Sequence, residues 1–185
     1  PAYTEQTVAD ENWYGTLAAV NVPAGDKFAL RVSGVYDERA SFTDNIGPSP
    51  SNPGSGRDLA GRVAFRYRPT DTMTFDLRYE HFDRNTDYNA IKNRNDLVTS
   101  DPFTIEEDAI SFLNQKADRA SLEARFDWSA LALRVQTSYL DAETKDQADG
   151  DRTATALPVP PNRPTNGANT ALFPGRVSNT TQDLR

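Results

Sequence analysis

Residues 59–68 decide the fold that the sequence predicts. They read Leu59-Ala60-Gly61-Arg62-Val63-Ala64-Phe65-Arg66-Tyr67-Arg68. The odd positions carry uncharged, mostly apolar side chains, whereas three of the five even positions carry arginine. Because successive side chains of a β-strand point to opposite faces, the segment predicts a strand with one apolar face and one cationic face.

The same alternation recurs in four further segments, which predicts a series of antiparallel hairpins. A less regular strand precedes these five, and the start of a seventh follows them. The expected strands are Trp13–Asn21, Lys27–Asp37, Leu59–Arg68, Thr72–Phe82, Arg119–Trp128, Leu131–Asp141 and Thr181–Arg185. In the first strand Leu17 and Ala19 compete with Ala18 and Val20 for the apolar face. The orientation of that strand therefore stays open.

The connections between these strands alternate in length. Short turns are expected at Val22–Asp26, Pro69–Asp71 and Ser129–Ala130, and long segments at Glu38–Asp58, Asp83–Asp118 and Ala142–Thr180. Structureless loops beyond about 12–15 residues are uncommon in compact soluble domains. Outer-membrane barrels, by contrast, combine short periplasmic turns with long extracellular loops. The loop lengths therefore favour a transmembrane barrel.

Two of the long segments carry local structural signals. Thr104-Ile105-Glu106-Glu107 has the form of a capping box and precedes Ala109 and Ile110, which predicts a short helix at the barrel mouth. The proline-rich run Leu157–Pro164 predicts an extended polyproline conformation.

The apolar positions of strands two to six carry no formal charge when His81 is neutral. They are Phe28, Leu30, Val32, Gly34, Tyr36, Leu59, Gly61, Val63, Phe65, Tyr67, Met73, Phe75, Leu77, Tyr79, His81, Ala120, Leu122, Ala124, Phe126, Trp128, Leu131, Leu133, Val135, Thr137 and Tyr139. The opposite positions carry Arg31, Arg62, Arg66, Arg68, Asp76, Arg78, Glu80, Glu123, Arg125, Asp127 and Arg134. An Arg or Lys on a lipid face at mid-membrane costs about 2–4 kcal/mol, so the uncharged face suits lipid.

Aromatic residues stand near both ends of the predicted strands. Tyr36, Tyr79 and Tyr139 lie towards the long loops, and Phe28, Tyr67 and Trp128 towards the short turns. We therefore assign Tyr36, Tyr67, Tyr79, Trp128 and Tyr139 to aromatic girdles at the two membrane interfaces. A soluble antiparallel sheet would explain the alternation equally well, but it would not explain the aromatic ends or the loop lengths.

The composition excludes several classes of protein. The 185 residues are enough for one domain, and the absence of Cys rules out disulfides and cysteine metal sites. The net charge of -7 disfavours a nucleic-acid partner. No apolar run approaches the roughly 20 residues of a membrane helix. Because the chain starts at Pro1 and stops inside a predicted strand, we expect it to be a piece of a longer protein.

The chain resembles the β-barrel domain of TonB-dependent outer-membrane receptors. The likeness lies in Asn21-Val22-Pro23 with the strand Lys27–Gly34, in Gly61–Arg68 entering the turn Pro69-Thr70-Asp71, and in Thr181-Gln182-Asp183-Leu184-Arg185. Each motif is loose by itself, and Asp183 stands where the family has Glu. Their order and spacing carry the resemblance, which covers most of the chain outside the loops.

The resemblance implies active import across the outer membrane of a Gram-negative bacterium. Such receptors have a 22-strand barrel closed by a plug domain and are energised by TonB. They bind a scarce ligand, usually a ferric siderophore and sometimes cobalamin, haem or a glycan. The expected partners are outer-membrane lipid, the protein's own plug, TonB and the small ligand. Residues 1–185 would form part of the barrel domain without the plug or the remaining strands, so transport by this segment alone is not expected.

The candidate site residues are the arginines on the charged face. Arg31, Arg62, Arg66, Arg78, Arg125 and Arg134 are expected to face the barrel lumen and to contact plug carboxylates or an anionic ligand. The structural alternative is that they pair across strands with Asp76, Glu80, Glu123 and Asp127. His81 is the only histidine, and Asp146–Asp151 lacks the pattern of a calcium loop, so no metal site is expected.

The residues form no catalytic constellation, so neither an enzyme nor a cofactor is expected. Two other kinds of protein remain as alternatives to the receptor. One is another outer-membrane barrel, namely a passive porin or a secretion channel, and the other is a soluble β-rich carbohydrate-binding module. The ligand is not identified by the sequence.

Overall fold

The computed structural model describes residues 1–10, 12–92, 99–150, 154, 171–172 and 175–184, and every regular element among them is a β-strand. In chain order the strands are β1 (Ala2–Ala9), β2 (Trp13–Ala24), β3 (Phe28–Arg39), β4 (Asp44–Asn45), β5 (Gly56–Thr70), β6 (Met73–Thr86), β7 (Thr104–Ile105), β8 (Phe112–Asp127), β9 (Ala132–Ala148), β10 (Ala171–Leu172) and β11 (Gly175–Leu184). A search of the described residues finds no helix that could cross a membrane.

Nine of these strands form one antiparallel sheet in the order β1-β2-β3-β5-β6-β8-β9, with both β10 and β11 paired to β9. The strands β10 and β11 keep the same register against β9 and so occupy one position in the sheet. Among the described residues, β1 pairs only with β2 and β11 only with β9, which leaves the sheet open at both edges. The fold is therefore all-β and antiparallel, in agreement with the sequence prediction, and the sheet is not closed.

All six predicted strands are present, and most of them are longer than the alternating pattern indicated. The strand β8 begins at Phe112 rather than Arg119, and β9 continues to Ala148 rather than Asp141. The predicted seventh strand is confirmed as β11, which starts earlier, at Gly175. The sequence analysis missed β1, whose residues Ala2–Ala9 alternate without a clear apolar series.

Tight turns join the long strands at one end of the sheet. The turn between β2 and β3 contains Gly25 at φ 67°, a conformation that glycine adopts without steric cost. Trp128 and Leu131 close the turn between β8 and β9 through two backbone hydrogen bonds of 2.8 and 3.3 Å. The missed hairpin β1–β2 turns within a few residues at the opposite end, so the connections at that end are not all long.

The strand register places the predicted apolar residues on one face. Across β3, β5, β6, β8 and β9, one row of directly paired residues reads Leu30, Phe65, Leu77, Leu122 and Thr137. The neighbouring row reads Val32, Val63, Tyr79, Ala120 and Tyr139. We call this side the apolar face and the opposite side the arginine face.

Pairing with β3 also settles the orientation of β2, which the sequence left open. Ala18 pairs with Gly34 and Val20 with Val32, so both lie on the apolar face. Leu17 and Ala19 consequently lie on the arginine face, and Ala19 is one of the few buried apolar residues.

No second layer of structure covers either face of the sheet among the described residues. Their only buried hydrophobic residues are Ala19, Ile105 and Ala109. Large apolar side chains in the middle of the apolar face are exposed instead, including Val63, Leu77 and Leu122. The described part of the chain therefore lacks the two-layer core that soluble domains bury.

The long connections pack together at the other end of the sheet. The strands β4 and β7 form a small parallel sheet, in which Asp44 pairs with Thr104 and Asn45 with Ile105. The helix predicted from Thr104-Ile105-Glu106-Glu107 is therefore wrong, because Thr104 and Ile105 form strand pairs. The predicted polyproline run Leu157–Pro164 lies outside the described residues.

Candidate functional site

The six candidate arginines all lie on the arginine face. The register sets them in successive rows across the sheet: Arg31 and Arg78 share a row, Arg62 lies in the next row towards the long connections, and Arg66 lies in the next row towards the short turns. Arg125 and Arg134 are direct partners on β8 and β9, nearest the short turns. The alternation of the sequence predicted this common face because strand side chains repeat every two residues.

Three of these arginines surround two buried carboxylates. Arg66 contacts Asp76 at two points, Nε to Oδ1 at 2.6 Å and Nη2 to Oδ2 at 3.0 Å. Glu123 accepts hydrogen bonds from Arg125 Nε and from Arg134 Nη2, the latter at 2.8 Å. Arg125 also lies 4.0 Å from Asp76 and so joins the two pairs into one network. The carboxylate residues Asp76 and Glu123 are only 5% and 3% exposed because the guanidinium groups lie over them.

Two further ion pairs hold neighbouring strands together on this face. Arg62 Nε lies 2.8 Å from Glu80, its direct partner on β6. Arg84 makes a two-point contact with Asp58, with both distances 2.7 Å. These ion pairs agree with the alternative prediction that the arginines pair with carboxylates of neighbouring strands and stabilise the sheet. Asp127, the fourth expected partner, makes no ion pair with any residue that the structure describes.

Arg31 and Arg78 differ from the other candidates because neither contacts a carboxylate in the described part of the chain. Arg31 donates to Asn21 Oδ1 at 3.0 Å and to Tyr3 Oη at 3.1 Å, both neutral acceptors. Its guanidinium also lies 5.9 Å from the Tyr3 ring centre, within cation–π range. Arg78 is half-buried. Arg119, which the sequence analysis did not select, likewise has no ion pair among the described residues although it lies opposite Glu80.

An apolar row crosses the arginine face near the long connections. It consists of Leu17, Val35, Ala60, Phe82 and Ala117, each paired with the next across five strands. A groove of about 450 Å³ lies over this row, and Arg31, Arg62 and Arg119 also line it. This row was not predicted from the sequence, because its residues stand on the same face as the charged series and are outnumbered there by charged side chains.

The aromatic residues assigned to girdles lie on the apolar face or at its ends. Near the short turns Tyr67 stacks on Phe28 with ring centres 4.7 Å apart, and Trp128 stacks on Phe126 at 5.7 Å. Towards the long connections Tyr36 donates its hydroxyl to Glu38, and Tyr79 donates to Asp118 at 2.5 Å. Tyr139 lies on the same face and is exposed. At this end the tyrosines reach the first charged groups beyond the apolar band.

The only histidine, His81, also lies at the end of the apolar face near the long connections. His81 Nδ1 lies 2.8 Å from Asp118 Oδ1, which is the oxygen that also accepts from Tyr79. In the next row of the same two strands, β6 and β8, Lys116 Nζ lies 3.4 Å from Asp83. Among the described residues no group of three or more His, Cys, Asp or Glu side chains has the arrangement of a metal site.

The long connections form a compact cap around the side chain of Asn45. Its Oδ1 accepts from the backbone N–H groups of Gly47 and Glu107 at 3.0 and 2.9 Å, and its Nδ2 donates to the carbonyls of Ser49 and Ser51 at 3.0 and 3.1 Å. The amide group is thus fully hydrogen-bonded and links two connections that are distant in sequence. We use the name loop cap for residues 41–55 and 101–111 with Asp149.

The loop cap also contains carboxylates with shifted pKa values. Burial, and then the neighbouring Asp149 carboxylate, raise the pKa of Asp108 above its ordinary value. Hydrogen bonds from the Thr104 hydroxyl and the Phe103 N–H lower the pKa of the exposed Asp101. Asp108 therefore ionises less readily than an ordinary aspartate, and Asp101 ionises more readily.

Comparisons with known proteins concern the fold alone. No protein-family model matches the chain, and no curated protein does. Among solved structures, the chain is similar to the ferric-catecholate import receptor Fiu from E. coli K12 in its open form, with a TM-score of 0.72 and 10% sequence identity. The match covers 99% of this chain and 30% of the receptor chain, so this chain spans less than a third of the receptor's length. The likeness supports a barrel-type fold for the whole of the chain.

Proposed function

We propose that residues 1–185 form one arc of the barrel of a TonB-dependent receptor in the outer membrane of a Gram-negative bacterium. In this proposal the apolar face contacts lipid and the arginine face lines the lumen. The complete receptor, with its plug domain, binds a scarce ligand and imports it with energy transmitted by TonB. The arc has no catalytic role and holds no cofactor.

One observation carries the membrane part of the proposal. The apolar residues of five consecutive strands share one face, and no described element packs on that face. A contiguous exposed apolar surface of this kind marks an interaction site, such as a membrane contact. Lipid covers it without any second protein layer.

The height of the uncharged band agrees with the thickness of the apolar layer of an outer membrane. On β3 the apolar series runs from Phe28 to Tyr36 and is bounded by Lys27 and Glu38. These nine residues span about 27 Å along the strand, or about 20 Å across a membrane at a tilt of about 40°, close to the band of about 25 Å found in outer-membrane barrels. Polar strand ends beyond the band would extend into the extracellular space.

The transport part of the proposal rests on the resemblance of the motifs to TonB-dependent receptors. The structural neighbour is a ferric-catecholate import receptor, so ferric siderophores are the first ligand class to test. Energy coupling distinguishes this function from that of a passive porin or a secretion channel.

Membrane fractionation of the full-length gene product tests the membrane part. We expect the protein in the outer-membrane fraction, released only by detergent. Recovery in the soluble fraction without detergent would contradict the proposal and favour the soluble carbohydrate-binding module.

Uptake of radiolabelled ferric siderophores by cells that produce the full-length protein tests the transport part. Uptake should disappear when the tonB gene is deleted or the proton-motive force is collapsed. A protein in the outer membrane whose transport continues without TonB would instead be a passive channel.

A further inference from the structure

The middle of the arginine face carries more positive than negative charge. One row across β3, β5, β6 and β8 consists of Arg31, Ala64, Arg78 and Ser121, and the next consists of Ser33, Arg62, Glu80 and Arg119. These two rows contain four arginines and one carboxylate, although the chain as a whole has a net charge of -7. The excess positive charge is therefore a local property of this surface.

The nearby carboxylates already have arginine partners. Glu80 pairs with Arg62 at 2.8 Å, and Asp76 pairs with Arg66 at 2.6 Å. Within the described residues Arg31 contacts only neutral acceptors, and Arg78 and Arg119 form neither ion pairs nor hydrogen bonds through their side chains. Three guanidinium groups thus have no carboxylate partner within the described residues, and their positive charge is available to attract an anion.

The three arginines border two adjacent grooves in the middle of the arginine face. Arg31 and Arg78 are separated by one strand, which places their Cα atoms about 10 Å apart. The side chain between them is the methyl group of Ala64. Arg119 lies diagonally across from Arg78, beside the small side chain of Ser121. Arg31 and Arg78 line a groove of about 350 Å³. Arg31 and Arg119 line a second groove of about 450 Å³ together with the Arg62–Glu80 pair, so Arg31 borders both grooves.

We propose that Arg31, Arg78 and Arg119 form a binding site for carboxylate groups in the middle of the arginine face. Guanidinium groups bind carboxylates at two points, as Arg66 and Arg84 do within this chain. The carboxylates come either from a small polycarboxylate or from a protein segment that lies along the face. The proposal rests on the register and the ion pairs, so it holds whether or not the sheet lies in a membrane.

Calorimetric titration of the purified full-length protein with citrate tests the first source. We expect saturable binding, weakened about tenfold or more in an Arg78→Gln/Arg119→Gln variant, because each lost charge-assisted hydrogen bond changes affinity by about that factor. The matched control is the Asp58→Ala/Arg84→Ala variant, which removes an ion pair from the same face without changing the net charge. This control should bind citrate as the native protein does.

Carbodiimide cross-linking tests the second source. The substitutions Arg78→Lys and Arg119→Lys keep the positive charge but supply an amine that couples to an adjacent carboxylate. Peptide mapping of a cross-link from position 78 or 119 to an acidic residue elsewhere in the full-length protein would identify a bound protein segment. The same mapping on Asp58→Ala/Arg84→Lys should show no such cross-link.

The citrate titration and the cross-linking experiment together test the proposal. Citrate binding that depends on Arg78 and Arg119 indicates a free polycarboxylate, whereas a cross-link indicates a carboxylate of the protein itself. Citrate binding that is unaffected by the substitutions, or the absence of both binding and cross-links in variants whose circular dichroism matches the native protein, overturns the proposal. None of these outcomes depends on siderophore uptake.

Discussion

Arg66 and Asp76 face each other directly across β5 and β6, and both oxygens of the Asp76 carboxylate accept hydrogen bonds from the Arg66 guanidinium, at 2.6 and 3.0 Å. The carboxylate is almost inaccessible, while the arginine side chain remains 40% exposed. An exposed guanidinium thus covers a buried acid on a sheet face that has no described protein layer above it. The pair links the strands on either side of a short turn.

The Asp76→Asn substitution should lower the free energy of unfolding by about 1–2 kcal/mol, because it removes a charge-assisted contact and leaves Arg66 and Arg125 without their shared carboxylate. Urea unfolding of the detergent-folded full-length protein, followed by tryptophan fluorescence, measures the change. The control Asp127→Asn alters an exposed carboxylate at the end of β8 and should change stability by less than about 0.5 kcal/mol. Equal losses in the two variants would refute the role of the pair.

A charge introduced on the apolar face should be far more costly than the same charge on the arginine face. Val135 lies at the middle of the apolar series of β9, and Gln136 is the next residue, on the opposite face beside Glu123. In lipid bilayers Val135→Arg should cost about 2–4 kcal/mol, whereas Gln136→Arg should cost less than about 1 kcal/mol. The folded fraction in bilayers, read from heat-modifiable gel mobility, measures both. Similar costs at the two positions would be inconsistent with a lipid-facing apolar side.

The loop cap should be sensitive to a single methyl group at Gly47. A Cβ atom there would overlap the carbonyl oxygen of Glu107, and this neighbour is backbone that has little room to move. Gly47→Ala should therefore separate the two connections and expose residues 101–111 to protease while the long strands stay intact. Gly61→Ala is the matched control, because a Cβ at Gly61 meets nothing within 4 Å. Unchanged proteolysis of Gly47→Ala would show that the connections do not pack as described.

The contribution of Asp108 to the stability of the loop cap should increase as the pH falls from about 7 to about 4. Burial and the Asp149 carboxylate raise the pKa of Asp108 above its unfolded value, so folding favours the protonated form. The resulting stabilisation is complete below the unfolded pKa and is lost as the pH rises through the raised folded pKa. Hydrogen exchange of the amides in residues 104–111, corrected for intrinsic rates, should be slower at about pH 4 than at about pH 7. In Asp108→Asn this part of the pH dependence should vanish, and its persistence would assign the effect to another group.

The sequence predicted the two faces well because side-chain alternation in a strand is a local property. Once Val63 and Phe65 are assigned to the apolar side, the assignment of Arg62 and Arg66 to the other side follows. The six strands were recognised for the same reason. Their length was underestimated because alternation fades where both faces become polar, as in residues 114–116 of β8.

Features that depend on distant parts of the chain could not be predicted in this way. The capping-box pattern at Thr104 favours a helix locally, but pairing with Asp44 and Asn45 outweighs that weak preference. The strand β1 has no apolar series of its own and is recognised only through its pairing with β2. Which arginines lack a carboxylate partner likewise depends on residues of neighbouring strands, as for Arg119, which lies opposite Glu80 although Glu80 pairs with Arg62.

The central claim is that the apolar face contacts lipid and the arginine face does not. These 185 residues contain no cysteine, so single spin labels can be placed at Val32, Ser33, Ser121 and Leu122 of a full-length protein in lipid bilayers, after replacement of any cysteine outside residues 1–185 by serine. Collision rates with oxygen, which concentrates in lipid, and with a water-soluble nickel complex then report the surroundings of each label. We predict high oxygen and low nickel accessibility at positions 32 and 122, and the reverse at positions 33 and 121. Accessibility that fails to alternate between adjacent residues, or nickel collisions at positions 32 and 122, would contradict the lipid-facing assignment.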